Sequence, residues 1–131
     1  MSKANEETAR RWLQAVADTD YEALTELVSD DVVLVPPGNQ APYEGAESMR
    51  RWMEPDAFPA QIITPLDVVA VTDTAVLGRQ HITARGRASG IELDVTSWSV
   101  WTFDSGGRIT RIEIYLEHEE DKARAAAGIE A

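Results

Sequence analysis

Between Leu66 and Leu116 the chain is almost continuously β-forming. Residues 66–71, 75–85, 91–103 and 108–116 are runs rich in β-branched and aromatic side chains, parted by short stretches such as Ala88-Ser89-Gly90 and Ser105-Gly106-Gly107. Connections that short join neighbouring antiparallel strands, so this half of the chain is committed to one long-stranded meander. Such a sheet needs a cover for its apolar face, and the residues before it supply one. Ala9, Trp12, Leu13, Val16 and Ala17 recur at the spacing of an amphipathic helix over about 6–17. Asp20 offers an N-cap for a second helix over about 20–29, where Ala23, Leu24, Leu27 and Val28 repeat the stripe. A third, over about 45–54, carries Met49, Trp52 and Met53 and is closed by Pro55. Residues 32–35 are a short strand stopped by Pro36-Pro37-Gly38-Asn39, and an acidic, alanine-rich helix over about 119–127 ends at Gly128. The expected class is α+β: one domain over residues 1–131, with three N-terminal helices packed on a strongly curved, mixed or antiparallel sheet.

Composition narrows the function. At 131 residues and 44% hydrophobic content the chain can build one core and one site. It has no cysteine, which removes thiolate chemistry, disulfides and cysteine-ligated zinc, and its two histidines, His81 and His118, are too far apart in sequence for a His-x-x-x-His metal pair. No metal and no cofactor is expected. A net charge of −11 repels nucleic-acid phosphates and anionic membrane surfaces, so neither is an expected partner. The opening Met-Ser-Lys-Ala-Asn-Glu-Glu lacks the layout of a secretory signal, and no apolar run approaches the roughly 20 residues of a membrane span. A soluble cytoplasmic protein is the expectation.

The site is sought where the strand pattern breaks. In residues 91–103 the odd positions, Ile91, Leu93, Val95, Ser97, Ser99, Trp101 and Phe103, form the core face, and two serines interrupt its middle. An unpaired hydroxyl in a dry interior costs about 1–3 kcal/mol, so each serine must meet backbone, a trapped water or a ligand. If the preceding hairpin turns about Ala88-Ser89, Arg85 falls opposite Glu92 and Arg79 opposite Trp98 on the outer face. Gln80 then falls opposite Ser97 and Gly78 opposite Ser99 on the inner one. That register predicts an apolar pocket with a polar spot of Gln80, Ser97 and Ser99, walled by Trp101 and closed by Trp12 from the first helix. A slip of one residue would instead turn Arg79, His81 and Arg85 inward, which keeps His81 as the candidate catalytic base. Trp98, Val100 and Tyr115 make the outer face more apolar than a solvated face needs, and a homodimer through it would account for them.

The segment Ser29-Asp30-Asp31-Val32-Val33-Leu34-Val35-Pro36-Pro37, followed by Tyr43-Glu44-Gly45 and later by Arg85-Gly86-Arg87-Ala88-Ser89-Gly90, Trp101-Thr102-Phe103-Asp104, Gly107-Arg108-Ile109 and Tyr115-Leu116, resembles the nuclear transport factor 2-like superfamily, and its SnoaL-like members most. The resemblance implies a cystatin-like cone and, because it includes ketosteroid isomerases, polyketide cyclases, epoxide hydrolases and dehydratases, a small apolar substrate or ligand, polycyclic compounds included. It also implies positions for acid–base groups, and here Trp12, Pro36 and Ser99 occupy those where the isomerases carry a tyrosine, a general-base aspartate and an acid. Arg79-Gln80-His81 gives the epoxide hydrolases' arginine without the acid two residues on. The expected function is therefore binding, or isomerisation, cyclisation or dehydration, of a small hydrophobic molecule, set against a non-catalytic binding or dimerisation module whose pocket is filled by its own side chains.

Overall fold

The computed structural model describes residues 3–18, 20–37, 41–52, 62–85 and 92–129. Two helices, α1 (Lys3–Asp18) and α2 (Tyr21–Leu27), lead into strand β1 (Val28–Val35), a two-residue strand β2 (Tyr43–Glu44) and helix α3 (Ala46–Trp52). Four strands follow: β3 (Ile62–Val71), β4 (Ala75–Arg85), β5 (Glu92–Phe103) and β6 (Ile109–Leu116). A 3-10 turn (Glu117–Glu119) and helix α4 (Glu120–Ala126) complete the described chain. All six strands join one sheet in the order β2-β1-β6-β5-β4-β3, in which only the β1–β6 pair is parallel. The meander read from the sequence is thus β3 to β6, and β1 crosses over to extend it.

Local chemistry sets the register. Asp20 caps α2 by accepting a hydrogen bond from the Ala23 amide at 3.2 Å, as its place before the apolar stripe suggests. Between β5 and β6, the Asp104 carboxylate accepts from the amides of Gly106 and Arg108, and Gly107 takes φ of 83°, a left-handed conformation that a side chain would strain. Between β3 and β4 the Thr72 hydroxyl plays the same part for the amides of Thr74 and Ala75. Register shifts in the β3–β4, β5–β6 and β1–β6 pairs bend the strands, as bulges do, and the open sheet curves.

The sheet has an apolar layer on each face. On the inner side α1 lays Ala9, Trp12, Leu13 and Ala15 into one core with Val32, Leu34, Met49, Val76, Trp101, Phe103, Ile112 and Ile114. On the outer side Leu77, Trp98 and Val100 meet Ala123 and Ala127, with Tyr115 and Ile129 at the margin. Part of the face expected to carry a homodimer is thus covered from within the chain. Trp98 is 6% exposed and Val100 fully buried because α4 folds back over them, its small alanines letting the helix lie close to the sheet. The tail that the sequence marks as helical covers these outer residues.

Two boundaries also move. Strand β1 starts at Val28, directly after α2, where the sequence suggests helix to about residue 29, and β3 starts at Ile62 instead of 66. Val28 and Val32 face the same core as Leu24, so their spacing serves strand and helix equally well. Met53 and the hairpin tip at Ala88-Ser89 lie outside the described residues, as do the side chains of Trp52, Arg85 and Glu92.

Candidate ligand site

The β4–β5 pairing places Gln80 opposite Ser97, Gly78 opposite Ser99, Val76 opposite Trp101 and Arg79 opposite Trp98. It also pairs Arg85 with Glu92, so the register inferred from a turn at Ala88-Ser89 holds along the whole ladder. Directly paired residues share a face, and alternation then assigns every side chain of the two strands. Gln80, Ser97, Ser99 and Trp101 stand on the inner face, all buried. From β6, Ile114 lies opposite Ser99 and Ile112 opposite Trp101, which gives the polar residues an apolar flank.

The polar residues bond to one another. The Gln80 side-chain amide donates to Ser97 Oγ at 2.9 Å and to Ser99 Oγ at 2.7 Å, which ties the two strands together through buried groups. Gln80 Oε1 is left with no partner. With the amide plane turned over, both hydroxyls would donate to the oxygen and the N–H groups would be open; in either arrangement one end of the amide is unsatisfied. Trp12 and Trp101 meet edge to face with ring centroids 6.0 Å apart, and the indole N–H of each is also buried without an acceptor. Trp98 makes the contrast plain, since on the outer face its N–H donates to the Glu117 carbonyl at 3.0 Å. Buried polar atoms normally find partners, so these three unsatisfied atoms, with the Ser29 hydroxyl of β1 as a fourth, stand out among the described residues.

Charge is distributed the other way. Arg79 lies over the Trp98 ring, 5.7 Å from its centroid, and reaches Glu117 at 3.9 Å. Arg111, Glu113 and Tyr115 form a row along β6, with Arg111 Nε 3.2 Å from Glu113 Oε1 and the Tyr115 hydroxyl donating to Glu113 Oε2 at 2.7 Å. Burial and then the Glu113 carboxylate push the Tyr115 hydroxyl well above its ordinary pKa. Each of these groups faces outward. Asp30 and Asp31 of β1 are exposed as well.

The sequence-derived residues divide along that line. Trp12, Gln80, Ser97, Ser99 and Trp101 share the inner side of the sheet, whereas His81, the candidate base, lies on the outer face against Asp94 and apart from them. The physical reason is alternation, since a residue next to inward Gln80 must point outward. Arg79 shares that fate, so no arginine–carboxylate pair of the epoxide-hydrolase kind forms on the inner face among the described residues. Pro36 is buried just after β1. Among the described residues no group of histidine, cysteine or acidic side chains could hold a metal ion, and no helix is long and apolar enough to cross a membrane. Sequence reasoning did not find the unsatisfied indoles. Trp12 and Trp101 carried a signal as apolar anchors only, because an N–H has no periodicity to betray it.

A curved six-stranded open sheet with helices, laid out in this order, defines the α+β cone of the nuclear transport factor 2-like superfamily. Residues 9–112 match the SnoaL-like domain, and the chain belongs to that family. No protein of curated function matches it in sequence. Among solved structures it is similar to a candidate SnoaL-like polyketide cyclase from Jannaschia sp. CCS1, at 18% identity and a TM-score of 0.78, covering 97% of this chain and 96% of that one. It is similar to SalBIII, an epoxide hydrolase/cyclase-like enzyme of pyran ring formation in the polyether salinomycin, at 16% identity and a TM-score of 0.76 over 88% and 92% of the two chains. Rv0760c of Mycobacterium tuberculosis, in complex with estradiol-17β-hemisuccinate, is similar at 16% identity and a TM-score of 0.76 over 90% and 97%. At these identities the likeness speaks for the fold.

Proposed function

We propose that this SnoaL-like protein binds, or transforms by isomerisation, cyclisation or dehydration, a small hydrophobic molecule whose carbonyl or hydroxyl group is oriented by Gln80, Ser97 and Ser99. Trp12 and Trp101 would form the apolar walls. The observation that carries the reading is the open end of the Gln80 amide, held by two buried serines in an otherwise apolar interior. A purely structural interior has no use for such a group, which costs about 1–3 kcal/mol while unpartnered. Family membership agrees with a small-molecule ligand, and so do the steroid ester bound by Rv0760c and the ring-forming role of SalBIII. His81 has no part in this reading, because reaching the inner face would require a shift of the whole β4–β5 register.

The test is a thermal-shift screen with neutral polycyclic ketones and alcohols. A ligand at about 100 times its Kd adds roughly 2.7 kcal/mol, worth about 10 °C for a chain of this size. The shift should disappear in Gln80→Ala and Ser99→Ala. A screen without shifts, or shifts that survive both substitutions, would argue against the assignment. A second reading, an interior filled by the protein's own side chains, draws on the Trp12–Trp101 contact, and it predicts no shift with any compound.

A further inference from the structure

The inner face is graded from dry to open. Trp101 and Ser99 are each 1% exposed and Ser97 5%, but one alternate step further along β5 Val95 is 39% exposed, and Leu116, directly opposite Ser97 on β6, is 41%. These two are the exposed large apolar side chains among the described residues. The polar trio therefore sits between a sealed end, closed by Trp12 against Trp101, and an open end with an apolar rim. A molecule entering over Val95 and Leu116 meets Ser97 and Gln80 first and Ser99 next, within about 7 Å of strand per alternate residue.

The available hydrogen-bonding groups are of one kind. With the amide as placed, the Ser97 and Ser99 oxygens accept from Gln80, each serine keeps its own proton to donate and Gln80 Oε1 is open to accept; turned over, the amide N–H groups donate and the serine oxygens accept, and in both cases Trp101 adds an unused N–H. All are neutral. Among the described residues the inner positions of β4, β5 and β6 carry no cation, and Arg79 is committed to Trp98 and Glu117 on the other face. A carboxylate brought to the trio would be buried without a counter-charge in a protein whose net charge is already −11.

We infer that the ligand enters polar end first, that this end is a neutral oxygen group combining an acceptor with an adjacent hydroxyl, as in an α-hydroxyketone, and that the site rejects a carboxylate at that end. This rests on the pocket reading above and adds ligand orientation and charge selectivity to it. The apolar body trails over Val95 and Leu116, and a charged substituent is tolerated only beyond them, in water.

Calorimetric titration of the full chain with four bicyclic probes of matched size tests this: tetralin, 1-tetralone, 2-hydroxy-1-tetralone and the anion of tetralin-2-carboxylic acid. The hydroxyketone should bind roughly ten-fold tighter than tetralin, and the carboxylate at least roughly ten-fold weaker than 1-tetralone. In Gln80→Leu the preference for the hydroxyketone over tetralin should shrink below about two-fold, a ratio that loss of folded protein would not move. Equal binding of tetralin and the ketones would overturn the polar-end inference and leave the pocket standing. Equal binding of the carboxylate would overturn the charge selectivity, and binding of none of the four would overturn both the inference and the pocket reading.

Discussion

Replacing the whole trio with apolar residues, Gln80→Leu with Ser97→Ala and Ser99→Ala, should leave the ligand-free protein at least as stable as before. Two buried hydrogen bonds from Gln80 are lost, at about 1 kcal/mol each. Against this, the unpartnered amide oxygen disappears, worth about 1–3 kcal/mol, and the hydroxyl protons without acceptors disappear too. A leucine in place of a 3%-exposed glutamine adds apolar burial of about 1–2 kcal/mol at similar volume. The balance runs from about zero to a gain of about 3 kcal/mol, or up to roughly 10 °C in Tm. Gln80→Ala alone should go the other way, losing about 2 kcal/mol, because it opens a cavity and strands two hydroxyls. Urea unfolding followed by tryptophan fluorescence reads both variants, with an unchanged m-value confirming the same unfolding reaction. A triple variant destabilised by more than about 1 kcal/mol would refute the reasoning, since the trio would then be holding the strands together on its own account.

Three further outcomes follow from the packing. Ile112→Ala empties a fully buried position opposite Trp101 and should cost about 2–5 kcal/mol in the same assay. Ending the chain after Glu119 removes the helix that covers Leu77, Trp98 and Val100, and size-exclusion chromatography with light scattering should then show more association than the full chain shows at equal concentration. The raised Tyr115 pKa keeps its hydroxyl protonated in the folded state when unfolded chains have begun to ionise near pH 10. Its contribution is therefore complete below that pH and lost as pH rises further, so urea midpoints of the wild type should fall more steeply above pH 10 than those of Tyr115→Phe.

The alternation of β5 was the most legible part of the chain. The period-two run over residues 91–103 fixes which side of the strand is buried, and a turn position then fixes the partner of every residue on β4, so Gln80, Ser97 and Ser99 could be brought together from the sequence. The parallel β1–β6 pairing and the strand β2 were not legible, because a two-residue strand has no period and a crossover is a long-range choice. The placement of α4 escaped for a related reason. Alanines at helical spacing state that a helix can form, but they contact a sheet too lightly to say which face they will cover, so the intrachain cover of Trp98 and Val100, about 20 residues further along, was not legible.

The distribution of charge across the sheet bears on what chemistry the inner side could support. Arg79, His81, Asp94, Arg111 and Glu113 all stand on the outer face, so the inner face offers hydrogen-bond donors without a proton acceptor of useful basicity among the described residues. Neutral donors in a dry interior stabilise negative charge developing on a carbonyl oxygen, which is one half of the work of enolisation or cyclisation. The other half, removing a proton, needs a base that Trp12, Pro36 and Ser99 cannot provide at the positions they hold. If the chain catalyses a reaction, its substrate must carry its own acidic hydrogen or leaving group, activated by polarisation alone. Its rate should then follow the acidity of the substrate and stay flat across neutral pH, whereas a bell-shaped profile with a limb near pH 6–7 would place a histidine in the mechanism after all.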